Sequence, residues 1–215
     1  MKLIGVPLSP FVRKVAVILA VKGIEDFEIE VVLPGMQPPD FTDISPLNKI
    51  PVLVDDDLTI PDSSVIGEYL NEKYPEPAML PANIEDRARA RFLEEYADTK
   101  LIEVLSIPFI ERFIGPRLRQ SEPDEERILH AEEELIPPVL DWVESRVPEE
   151  GFLFGDLAIA DVALMTHTIN AALGEYHIDA ARWPKYAAYL ERVKGHPAVA
   201  KALAREAEAM KAMMG

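Results

Sequence analysis

Three short segments carry the residue types that could hold and activate a small polar ligand. Ser9 stands before Pro10 at the start of an apolar helical pattern, and Asp62–Ser63 stand before a second one. Lys49 precedes an Ile50–Pro51 pair at the head of another apolar run. Ser and Asp are favoured where a helix begins, because their oxygens satisfy N–H groups that have no intrahelical partner. Proline suits the next position, where its missing N–H is no loss. The same unpaired N–H groups, with the helix dipole, make a helix start attractive to anions. Each of these residues therefore has a local reading, as a cap or a solvated loop residue, beside a chemical one.

Other chemistries find little support. The four histidines, His130, His167, His177 and His196, lack a metal-ligand spacing, and no metal site is expected. Glu132–Glu133–Glu134 reads as a solvated helix face. There is no cysteine, which removes disulfides, cysteine metal sites and a protein thiol as nucleophile, although a thiol could arrive with a co-substrate. With 38 acidic against 22 basic residues, the formal net charge is -16. That balance repels phosphate backbones, and without a basic run no nucleic-acid partner is expected. The run Met1–Val6 is too short an apolar stretch for a signal peptide, and no 18-residue apolar stretch exists for a membrane span. A cytoplasmic location without membrane association is the expectation.

The elements that must position the candidate residues follow from spacing. Residues 3–6 read as a strand, and Phe11, Val15, Ile18 and Leu19 recur at helical period until Gly23. Residues 27–33 alternate apolar with acidic side chains, a strand signature broken by Pro34–Gly35. Residues 37–49 suggest a short helix plus loop. Val52–Val54 and Leu58–Ile60 form a hairpin around Asp55–Asp57, and a helix runs from Ser63 to Tyr74. The order is β-α-β-α-β-β-α. Pro75, Pro77 and Pro81 then mark a linker, after which every pattern is helical: residues 84–113, a helix after Pro123, residues 160–173, and two shorter helices near Trp183–Pro184 and His196–Pro197. The expected fold class is α/β plus all-α, with an α/β domain at 1–76, a linker at 77–83 and a helical domain at 84–215. Phe92, Phe109 and Phe113 are expected in the helical core.

Four ordered segments resemble the glutathione transferase superfamily: Leu8–Val15, Ser45–Leu53, Pro61–Ile66 and Gly155–Asp161. The closing Arg182–Trp183–Pro184 through Val199 is similar too. The resemblance implies a thioredoxin-like domain that binds glutathione, followed by a helical bundle. It implies that Ser9, with Phe11 beside it, hydrogen-bonds the glutathione sulfur. By the same resemblance Pro51 is cis and turns the Ile50 backbone toward the cysteinyl moiety. Lys49, with Gln37 nearby, would meet the glycyl carboxylate. Ser63 would bind the γ-glutamyl carboxylate, and Asp62, where the family commonly has Glu, would sit near the γ-glutamyl ammonium. Arg13 and Lys14 would add positive potential or lie on the surface.

The implied reaction is attack of the glutathione thiolate on an apolar electrophile: conjugation, dehalogenation, ether cleavage, isomerisation or peroxide reduction. Lack of cysteine argues against the cysteine-type branch and leaves the serine-type branches open. Some of Phe92, Phe109 and Phe113 would then line the electrophile pocket, and a homodimer is implied. The alternative is a catalytically silent relative that serves as a binding or protein-interaction module. One departure concerns stability: Ala158 stands where the family carries a capping Ser or Thr opposite Asp161.

Overall fold

The computed structural model describes residues 1–214. In chain order the first elements are β1 (Lys2–Ile4), α1 (Pro10–Val21), β2 (Glu28–Glu30), a 3-10 turn (Phe41–Asp43), β3 (Val52–Asp55), β4 (Leu58–Pro61) and α2 (Ser63–Lys73). There follow α3 (Ile84–Tyr96), α4 (Ile102–Pro108), α5 (Glu125–His130), α6 (Ile136–Glu144), α7 (Ile159–Leu173), α8 (Pro184–Gly195) and α9 (Pro197–Met214). Turns of π type, with wider i→i+5 pairing, continue α3 over Ala97–Leu101, α4 over Phe109–Arg119 and α5 over Ala131–Leu135. Two compact units emerge: Met1–Met79 together with His196–Gly215, and Leu80–Gly195.

The first unit is a thioredoxin-like layer built on a four-stranded sheet of order β2-β1-β3-β4. β1 runs parallel to β2 and antiparallel to β3, and β3 and β4 form the expected hairpin. Leu3, Val52, Leu53, Ile18, Leu19, Ile66 and Leu70 are wholly buried and join the strands to α1 and α2. The second strand is shorter than its alternation suggests, because β1 offers it only three partners, Lys2 to Ile4. The helix expected within 37–49 is reduced to the turn Phe41–Asp43. Pro38, Pro39 and Pro46 withhold N–H donors along that segment, so a longer helix has too few bonds to form.

The closing helix α9 belongs to this first unit, where the reading from spacing had placed it with the helical domain. Its 18 residues also make it longer than expected. It packs along α1, held by the buried Arg13 fork, whose Nε and Nη2 donate to Glu206 at 2.7 and 2.5 Å. Arg205 stacks on Phe27 and donates to the carbonyls of Glu25 and Phe27, while Lys201 pairs with Glu25.

The second unit is helical throughout, apart from two isolated bridges at Phe152–Asp156. α7 is its axle, buried from Ile159 through Thr168 and packed against α3, α4 and α8. A helix apolar on every side is one surrounded by others. Gly174, just past its end, has no room for a side chain: a Cβ there would lie 2.4 Å from the backbone of Pro108 and Phe109. Pro116 lies inside one π-type stretch, and Pro137–Pro138 follow another, in keeping with proline's clash with the carbonyl four residues back. Phe92 is not core. It is 57% exposed, because the buried stripe of α3 runs through Ala90, Leu93, Ala97 and Leu101, one residue further round. Phe109 and Phe113 stack at 5.5 Å and are half-buried.

Candidate functional site

The sheet register gathers the candidate residues at one edge. Ile4 ends β1 opposite Val52, which begins β3, and Val52 in turn pairs with Pro61, which ends β4. The chain leaves β1 toward Ser9, enters β3 through Ile50–Pro51 and leaves β4 into Asp62–Ser63. Antiparallel pairing thus brings three segments, far apart in sequence, to one end of the sheet. Gly5 allows the close approach there. Its φ of +151° is strained for other residues, and a Cβ would meet Val12 at 2.5 Å and the Ile50 Cβ at 3.3 Å.

Ser9 is the N-cap of α1, with Pro10 next, as spacing implied. Its Oγ accepts from the Val12 N–H at 3.5 Å, the long limit of a hydrogen bond. Among the described residues the hydroxyl makes no other bond, so its proton is not committed. No acidic residue sits in the first turn of α1, which leaves the dipole at this end uncompensated by its own helix. Phe11 lies half-buried in the same turn.

The Ile50–Pro51 peptide is cis, and so is Glu76–Pro77. Both Ile50 and Pro51 are buried, and the Pro51 carbonyl accepts from the Asp62 N–H at 3.3 Å, joining two of the three segments directly. Asp62 caps α2: its Oδ1 accepts from Ser64 and Val65 at 2.9 and 3.2 Å, while Oδ2 makes no bond among the described residues. Its φ of +79° is rare for a residue with a side chain. Ser63 follows it, buried at the head of the helix. Lys49 is exposed, and its ammonium pairs with no carboxylate among the described residues. That solitude is notable in a chain of net charge -16. Gln37 reaches the same loop, where its Nε2 donates to the Asn48 carbonyl at 3.0 Å.

Two supporting roles escaped the reading from sequence, which had left Lys14 and Arg13 as positive potential or surface residues. Buried Ser45 braces the Lys49 peptide: its Oγ donates to the Lys49 carbonyl at 2.7 Å and accepts from the Lys49 N–H at 3.2 Å. Lys14 is wholly buried, and its Nζ donates to Ser64 Oγ at 3.2 Å, tying α1 to the first turn of α2. Arg13 is buried beside it. The signal was present, since two cations inside the apolar pattern from Phe11 to Leu19 need buried partners. Among the described residues no group of three or more His, Cys, Asp or Glu is arranged to hold a metal, and no helix is long and apolar enough to cross a membrane.

A thioredoxin-like sheet with a cis-proline at its open edge, followed by a helical region, defines a class, and comparison with known proteins narrows it. Residues 3–78 match the family model described as glutathione S-transferase, N-terminal domain. The chain is 31% identical over 212 residues to glutathione S-transferase 3 of Zea mays, covering 95% of this chain and 93% of that one. It is 35% identical over 176 residues to the uncharacterized GST-like protein YibF of Escherichia coli, covering 81% of each. The solved structure of glutathione S-transferase III in apo form is similar with a TM-score of 0.78 at 29% identity, covering 94% of this chain and 95% of that one. The chain belongs to the glutathione S-transferase family.

Proposed function

We propose that the edge built from Ser9, Lys49, Ile50–Pro51 and Asp62–Ser63 binds glutathione, and that the chain is a serine-type transferase. The observation that carries this reading is the Ser9 hydroxyl: half-buried, held at the start of α1 by one long bond, its proton uncommitted. It donates to the glutathione sulfur and favours the thiolate. A free cysteine thiol has a pKa of about 8.5, so only about 3% is ionised at neutral pH. A hydrogen bond to a charged group is worth about 1.5–3 kcal/mol, which lowers the thiol pKa by roughly one to two units. The thiol proton passes to solvent. The sulfur lone pair forms the new bond to an electrophilic carbon, and the electrons of the broken bond leave with the departing group or take up a proton.

The remaining contacts follow from charge. Lys49, unpaired, meets the glycyl carboxylate, with Gln37 steadying its loop. The Ser63 hydroxyl and the head of α2 take the γ-glutamyl carboxylate, and the open Oδ2 of Asp62 faces the γ-glutamyl ammonium. The Ile50 backbone pairs with the cysteinyl moiety as an added strand, and Phe11 flanks it. By family likeness the second substrate is an apolar electrophile, the assembly a homodimer, the location cytoplasmic and the role detoxification.

Calorimetric titration with glutathione tests the binding half. No heat and no thermal shift at millimolar glutathione would sink it and favour the catalytically silent module. The thiolate half is tested on Ser9→Ala. Ultraviolet absorbance of bound thiolate against pH should place its pKa roughly one to two units higher than in the parent. Ser9→Thr, which keeps a hydroxyl and a cap, should restore it. An unchanged pKa and an unchanged rate across an electrophile panel would leave Ser9 as a cap alone.

A further inference from the structure

The first unit holds a cavity of about 200 Å³ between α1, the segment that leads into β2, and the closing helix α9. Protein interiors leave few voids larger than a water molecule, so a space of this size has a cause. The side chains that meet across it are short: Ala16 and Ala20 from α1, Ala202 and Ala209 from α9. The helices do not close on the gap, because the Arg13–Glu206 fork bridges them and fixes their spacing. Ile24 and Phe27 supply the broader apolar wall.

Every charged group on the walls is already engaged. Arg13 holds Glu206, Lys201 pairs with Glu25, and exposed Arg205 lies 4.2 Å from the Phe27 centroid while donating to the carbonyls of Glu25 and Phe27. A charged ligand would have to displace one of these partners or leave water unpaired, and an unpaired charge out of water is costly. Water itself gains little there, since a held molecule needs roughly two to four polar partners. What remains on offer is apolar contact. An apolar cavity of about 150 Å³ is enough to hold benzene, so this one has room for a ring and a short substituent. Ala16, Ala20 and Ile24 are only half-buried, which leaves a way in.

We propose that this cavity binds a small neutral apolar molecule of one aromatic ring, packed between the alanines of α1 and α9 and the Ile24–Phe27 wall. The walls do not include Ser9, Lys49 or Ser63, so the site does not depend on the glutathione reading.

The test uses toluene on the full chain, with benzoate and benzylamine as charged counterparts of similar size. Near-saturated toluene should raise the thermal midpoint, followed by circular dichroism, by about 2–4 °C. Neither charged analogue should shift it. In methyl-detected NMR the toluene ring protons should give nuclear Overhauser effects to the Ala16 and Ala202 methyls. Ala202→Leu and Ala16→Leu fill the space from opposite helices. Each should lose the toluene shift, measured against its own midpoint whatever the added bulk does to that midpoint. The proposal is overturned if toluene leaves the parent midpoint unchanged, or if no Overhauser effect reaches Ala16 and Ala202. It is equally overturned if the shift survives in either filled variant, which would assign toluene to another site, or if a charged analogue shifts the parent as far as toluene does.

Discussion

Removing the Asp161 carboxylate should destabilise the helical unit more than any other single polar change in it. Asp161 is wholly buried, and three donors converge on it. The Leu153 N–H reaches Oδ1 at 2.9 Å, the Ala158 N–H reaches Oδ2 at 2.7 Å, and the Tyr189 hydroxyl reaches Oδ1 at 2.6 Å. One carboxylate therefore ties the loop before α7, the first turn of α7 and the middle of α8. Asp161→Ala strands all three donors out of water. At about 1–3 kcal/mol for each unsatisfied buried group, the loss is at least about 3 kcal/mol. Asp161→Asn keeps one carbonyl for Leu153 and Tyr189 but turns an NH₂ toward the Ala158 N–H, so it should fall between. Tyr189→Phe removes one donor and leaves none stranded, at about 1 kcal/mol. Urea unfolding followed by tryptophan fluorescence reads this unit directly, because Trp142 and Trp183 both lie in it. The order of midpoints should be parent, Tyr189→Phe, Asp161→Asn, Asp161→Ala. An Asp161→Ala midpoint at or above that of Tyr189→Phe would refute the claim that the carboxylate is the hub.

Three further outcomes follow from geometry elsewhere. Ala158 has the extended backbone of an N-cap, φ -108° and ψ 165°, but no side-chain acceptor; Ala158→Ser should add about 0.5–2 kcal/mol, read as a raised urea midpoint. Gly174→Ala forces a Cβ to 2.4 Å from the Pro108–Phe109 backbone, so thermal unfolding should show a loss of about 1–3 kcal/mol from overpacking. Burial raises the Asp55 carboxyl, but hydrogen bonds from Lys73 at 2.5 Å and Tyr69 at 2.7 Å outweigh it and hold the pKa below its ordinary 3.8. A lowered folded-state pKa stabilises above the unfolded value and is lost as pH falls through the folded one. Asp55→Asn should therefore be less stable than the parent at neutral pH, with the gap closing below pH 3.8 in parallel denaturation curves.

What the amino-acid order revealed depended on whether the determining contacts were local. Ser9–Pro10 and Asp62–Ser63 mark helix starts by their own chemistry, and both helices begin there. The hairpin at Asp55–Asp57 was equally legible. The α/β core with a helical region, and the family, were readable from ordered motifs. The length of β2 was not, because it is set by β1, a partner 26 residues away. Nor was the placement of α9, since what holds it to α1 is an Arg13–Glu206 contact between residues 193 apart. Phe92 misled because an aromatic at helical spacing counts as core until the burial of its neighbours fixes which side of the helix faces inward. Within the candidate site, residue types were visible, but the braces were not: Ser45 and Lys14 act through contacts that only folding creates.

The two roles of Ser9 are compatible because a hydroxyl is both acceptor and donor. As acceptor it caps α1 through the Val12 N–H, and at 3.5 Å that bond is too long to hold the oxygen tightly. As donor it is unengaged. A tighter cap would orient the lone pairs toward the helix just as well, so the length of the bond is not needed for capping. It does leave the hydroxyl free to turn its proton toward an incoming sulfur. The first turn of α1 carries no acidic residue to compete for that place, and the nearest sheet edge presents a buried cis-proline and an unpaired Lys49. An ordinary cap needs none of these neighbours. Their convergence at one end of a sheet, from three separated segments, is what supports the proposal of a ligand site over a reading as three chain turns.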